Sequence, residues 1–97
     1  MAFSQPSGSS DTARVPKGKL TIKTESKELA KASGDRLKLI VTNEGEKGVW
    51  LALGGTAAAK EGIPLAAKGV PFVLEGYSGA VSVIAEEGES NVCYVEI

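Results

Sequence analysis

Apolar residues recur at every second position in this chain, in short runs that end at turn residues. Leu20 and Ile22 alternate with Thr21 and Lys23, and Leu37, Leu39 and Val41 alternate with Arg36, Lys38, Ile40 and Thr42. A period of two places successive side chains on opposite faces of an extended backbone, so each run predicts a strand with one face inward. The stretch 43–48 (NEGEKG), the pair Gly54-Gly55, the turn Gly76-Tyr77-Ser78-Gly79 and the charged stretch 86–91 around Gly88 divide the runs. Roughly six to eight short strands with turn signals about every ten residues predict an all-β fold, a small β-sandwich or barrel-like domain.

The remaining segments fit that pattern with different clarity. Val49-Trp50-Leu51-Ala52-Leu53 is apolar on both faces, so both are covered, or one is left for a partner. Ile63-Pro64-Leu65 predicts a short edge strand, because Pro64 cannot donate to a ladder. Residues 70–75 (VPFVLE) predict a strand start with Phe72 and Leu74 on one face. In 80–85 (AVSVIA), Val81, Val83 and Ala85 share a face with Ser82 and Ile84 opposite. Residues 92–97 (VCYVEI) close the chain, with Cys93, Val95 and Ile97 alternating against Val92, Tyr94 and Glu96. Residues 27–33 (KELAKAS) are the one place where a helix competes, and 56–62 (TAAAKEG) are too short to hold one unsupported.

Residues 1–16 (MAFSQPSGSSDTARVP) are polar and serine-rich, with too little apolar surface to offset the entropy of ordering. They are expected to form an extended or disordered N-terminal arm ahead of a β-sandwich domain spanning 17–97. From Met1 to Lys23 the charges are Arg14, Lys17, Lys19 and Lys23 against Asp11, whereas Glu86, Glu87, Glu89 and Glu96 make the C-terminal quarter acidic. This asymmetry suits arm-to-neighbour contacts between copies.

Composition removes most catalytic chemistry. The 97 residues include no histidine, so histidine-dependent nucleophilic catalysis and mixed cysteine–histidine zinc sites are excluded. Gly54-Gly55-Thr56 with Lys60 lacks the spacing of a phosphate-cradling loop, and Gly76-Tyr77-Ser78-Gly79-Ala80 lacks that of a nucleophile elbow. The glutamates fall mainly in turns without calcium-ligand spacing. No enzyme activity, cofactor or metal is expected. A net charge of −1 and five aromatic residues argue against nucleic acid. No apolar run approaches the ~18 residues of a membrane span, and the first residues lack the basic-then-apolar pattern of a secretory leader. Cys93, alone and in an apolar run, is expected as a buried reduced thiol.

Trp50 is the most informative side chain. If Val49, Leu51 and Leu53 point to the core, Trp50 and Ala52 point away from it. Trp50 is then either a core side chain on a doubly covered strand or a contact for a subunit or ligand.

The stretch from Val41 to Ile97 resembles a type of small virion protein encoded among the structural genes of tailed bacteriophages. The resemblance is carried by Val41-Thr42-Asn43, by 49–55 (VWLALGG), by Gly62-Ile63-Pro64-Leu65, by Tyr77-Ser78-Gly79-Ala80-Val81 and by Val95-Glu96-Ile97. It implies a capsid decoration or cement protein: a small β-rich homo-oligomer, often a trimer, made in the host cytoplasm and seated on the capsid surface of the virion. Its implied partner is the major capsid protein, with an extended arm reaching across the shell.

Size argues in the same direction. Burial at ~25 cal/mol per Å² set against ~1.5 kcal/mol per ordered residue comes out close to zero for so short a chain. Without a disulfide, a neighbouring subunit is the natural source of further stability. The expected contacts to capsid or subunits are Arg14, Lys17, Lys19, Lys23, Trp50 and Tyr77. A tail or fibre subunit is the nearest alternative. A carbohydrate or host-surface module using Trp50 or Tyr77 is the alternative from another class.

Overall fold

The computed structural model describes residues 17–97, and the arm 1–16, with Arg14, lies outside the described residues. Eight strands follow one another: β1 (Lys17–Ile22), β2 (Lys27–Ala30), β3 (Lys38–Asn43), β4 (Val49–Leu53), β5 (Ile63–Leu65), β6 (Phe72–Glu75), β7 (Val81–Ala85) and β8 (Ser90–Glu96). They form two antiparallel four-stranded sheets, ordered β1-β8-β3-β6 and β2-β7-β4-β5. The fold is an all-β sandwich.

Its core is the meeting of the two inner faces. Ile22, Leu39, Val41 and Val92 from the first sheet meet Val49, Leu51, Val81 and Val83 from the second, all essentially without solvent contact. Each such side chain contributes roughly 1.5–3 kcal/mol through burial. Leu20, Phe72, Leu74 and Tyr94 pack partly buried at the margins. Residues 27–30 are a strand, paired with β7 and irregular in register between Glu28 and Ala30.

Three sequence expectations need correction. Leu37 does not share the buried face of Leu39 and Val41. It precedes β3 and is 70% exposed. Val70 is also exposed, since the strand begins only at Phe72, after Pro71. The doubly buried strand is β7, where Ser82 and Ile84 are covered as well as Val81, Val83 and Ala85. The loop after β4 folds back beside Ser82, whose hydroxyl donates to the Gly55 carbonyl at 2.9 Å, and buries Ala57, whose N–H donates to Ser26 Oγ at 2.9 Å.

The third correction is Cys93, which is only half-buried. On β8 the inward residue is its neighbour Val92, so Cys93 takes the outer face of the first sheet. The alternation was legible, but both phases of 92–97 carry apolar residues, and only the buried Val92 decides between them.

Candidate functional site

The outer face of the first sheet is the site the fold builds from the strand register. Lys17 on β1 stands opposite Val95 on β8, Val95 opposite Ile40 on β3, and Ile40 opposite Val73 on β6. One row of four strands therefore carries three apolar side chains, with a lysine at its β1 end. Val73 is 48% exposed, and Ile40 and Val95 are half-buried with no second layer of protein over them among the described residues. Ile97 continues the patch beyond β8 at 52% exposure, tied to β3 by its N–H donating to the Lys38 carbonyl at 2.9 Å. Isolated exposed apolar side chains need no explanation, whereas a contiguous row of them across three strands is a candidate contact surface.

The rim of this face is charged. Lys19 Nζ lies 3.5 Å from Glu44 Oε1, and Lys38 Nζ lies 3.7 Å from Glu75 Oε2. The Cys93 thiol donates to Glu44 Oε1 at 3.0 Å. That hydrogen bond to the carboxylate, with partial burial and the same negative charge, raises the Cys93 pKa. The thiol bond and the Lys19 ammonium in turn hold Glu44 below the usual carboxylate range.

The second sheet presents a different outer surface. Trp50 points away from the core, while Val49 and Leu51 on either side of it are buried. The reading of Trp50 as a core side chain is thereby corrected. It is half-buried between Ile84 and Pro64 in the register, and its indole N–H donates to Glu86 Oε1 at 3.1 Å. Tyr77 packs against the margin of the core and donates its hydroxyl to the Ala80 carbonyl at 3.0 Å. Its phenol rests on Gly79, where a side chain would collide with it.

Comparison with protein families, with curated proteins and with solved structures finds no match to this chain. Lys17 and Lys19 come together on the outer side of β1, and Lys23 lies just past its end. Trp50 belongs to the other sheet, Tyr77 lies in the turn between β6 and β7, and neither joins them. Among the described residues, no group of three or more histidine, cysteine, aspartate or glutamate side chains is placed to hold a metal ion.

Residue-by-residue reading of the sequence missed the apolar row itself. Ile40, Val73 and Val95 lie in three separate runs, each unremarkable alone. The hint available was that β3, β6 and β8 all carry apolar residues in both phases of their alternation.

A buried charge with a structural task was also missed. Arg36 places its guanidinium inside the end of the sandwich, with Nη1 donating to the Lys31 carbonyl at 2.9 Å and to Glu96 Oε1 at 3.1 Å. Nη2 donates to the carbonyls of Tyr77 and Gly79. One side chain thus ties together the segment after β2, the turn before β7 and the end of β8.

Proposed function

We propose that this protein is a non-enzymatic virion structural subunit, a decoration or cement protein that binds the outside of a tailed-phage capsid and bridges its major capsid proteins. The observation that carries this reading is the apolar row Val95–Ile40–Val73, extended by Ile97, across the outer face of the first sheet. An apolar row crossing an otherwise polar sheet face suits a protein surface better than a small ligand, which is usually held in a concave site. The resemblance of 41–97 to small phage virion proteins supplies the identity of that surface. Copies associate as a homo-oligomer, with a trimer matching three-fold positions on a shell, and many weak contacts are multiplied by avidity.

The decisive experiment mixes the purified full chain with capsids assembled without it and sediments them. Co-sedimentation that saturates at a fixed number of copies per capsid, and is lost in the double variant Val73→Lys/Val95→Lys, is the expected result. A chain that stays in the supernatant overturns the proposal.

A further inference from the structure

The two sides of the sandwich treat their free strand edges differently. On the β5/β6 side, Pro64 lies within β5 and has no N–H to offer an incoming strand, whereas Pro16 and Pro71 precede β1 and β6 alike in the sequence. On the β1/β2 side, β1 runs six residues without proline and, among the described residues, pairs only with β8. Its other edge presents backbone donors and acceptors to whatever lies beside it.

Beside it lies a groove. A concavity of about 450 Å³ separates β1 and β8 from β2, lined by the apolar Leu20, Leu29 and Tyr94 and by the charged Glu28, Lys31 and Glu96. A second one of about 340 Å³ continues along the same edge past Thr21 to the β1–β2 turn. Charge singles out the same place. Residues 17–31 carry Lys17, Lys19, Lys23, Lys27 and Lys31, all exposed, against Glu25 and Glu28.

We infer that the free edge of β1 is a strand-acceptor site for an extended acidic peptide segment of another protein. The occupant alternates acidic and apolar residues. Cross-strand neighbours share a face, so an added strand places every second side chain beside Lys17 and Lys19 on the outer side. The side chains between them point with Gly18 and Leu20 toward the groove. Backbone bonds supply affinity, the alternation supplies specificity, and the lysines steer an acidic chain while opposing edge-to-edge pairing of two β1 strands. This names a partner chemistry for the proposed capsid contact and rests on that reading only for the source of the segment.

The test titrates the full-length, isotope-labelled protein with a ten-residue peptide of alternating glutamate and valine, following backbone amide shifts. Shifts confined to 17–22 and 28–31 are expected, with affinity falling as salt rises. The double variant Lys17→Glu/Lys19→Glu, checked for an unchanged fold by its amide spectrum, is expected to bind at least tenfold more weakly. No shift at millimolar peptide overturns the inference, as does equal binding of a lysine–valine peptide. So does binding that appears only after residues 1–16 are removed, since that segment would then be the occupant. Capsid co-sedimentation that survives Lys17→Glu/Lys19→Glu but not Val73→Lys/Val95→Lys sinks the edge site as the capsid contact and leaves the capsid reading standing.

Discussion

The guanidinium of Arg36 and the carboxylate of Glu96 meet at 3.1 Å, with the arginine side chain 1% exposed and the glutamate 19%. One end of the sandwich is therefore closed by an ion pair where apolar side chains would be expected. A buried pair gains little over an apolar replacement of equal shape, because desolvation offsets attraction, but breaking it strands the remaining charge. Arg36 also donates to three backbone carbonyls, and its Nε is buried with no partner among the described residues. Its value lies in geometry: a planar fork reaches several acceptors at once.

Arg36→Met is accordingly expected to destabilise the domain by about 3–5 kcal/mol, read from the denaturant midpoint at unchanged slope. Arg36→Lys should recover little, since an ammonium cannot span Lys31, Tyr77 and Gly79 together. Glu96→Gln, at the wetter end of the pair, should cost distinctly less. Near-equal losses for the lysine and glutamine variants would refute the fork argument.

Asn43 performs a similar task without charge. Its Nδ2 donates to the carbonyls of Lys47 and Leu65 at 2.8 and 3.1 Å, and its Oδ1 accepts from Gly45 N and Ser90 Oγ at 3.1 and 2.7 Å. All four capacities of a buried amide are met. Asn43→Asp keeps the shape but turns two donors into acceptors facing two carbonyls, and a loss of at least ~3 kcal/mol is expected near neutral pH. Urea unfolding of the two proteins side by side measures it, and a loss under ~1 kcal/mol would mean the carbonyls find other donors.

These two residues show where sequence reading stops. Period-two alternation states which side chains share a face, and for Leu39, Val41, Val49, Leu51, Val81 and Val83 that face is the core. It does not state which strands become neighbours. Here β8 lies between β1 and β3, so the outer row joining Lys17 to Val73 is assembled from distant parts of the chain. Arg36 sits in the polar phase of its run and looks like a solvated residue, because its acceptors at 77, 79 and 96 are far along the sequence. The direction of Trp50 was left open by the sequence, because β4 is apolar in both phases, and the burial of Val49 and Leu51 decides it.

Two glycines of ordinary backbone separate a crowded position from an open one. Gly45 has no positive φ, yet a Cβ there would overlap Ser90 Oγ and approach the Ser90 Cα to 2.8 Å. Gly34 also has ordinary backbone but nothing within 4 Å of its added Cβ. Gly45→Ala is expected to cost about 1–3 kcal/mol through overpacking. Gly34→Ala should be neutral, or stabilising by up to about 1 kcal/mol, through a less flexible unfolded chain. Thermal unfolding of both variants against the parent checks the contrast, and a shared sign would contradict it.

The Cys93–Glu44 contact gives the sheet face a chemical reporter. The carboxylate accepting from the thiol, together with partial burial, raises the Cys93 pKa, so thiolate forms only at a higher pH than for an ordinary cysteine. The folded-state pKa exceeds the unfolded one, so this contact contributes stability below the unfolded thiol pKa and loses it as pH rises through the folded value. Glu44 has the opposite sign: held low by the thiol bond and Lys19, it contributes above its unfolded pKa and loses that contribution as pH falls through the folded one. Alkylation of Cys93 with iodoacetamide, followed against pH, should therefore turn on later than in the urea-unfolded chain. Glu44→Gln should move the inflection down toward the unfolded value, while Lys19→Gln, which removes the cation that lowers the thiol pKa, should move it up. If both substitutions shift it the same way, accessibility rather than charge controls the thiol, and the outer face opens more readily than its hydrogen bonds imply.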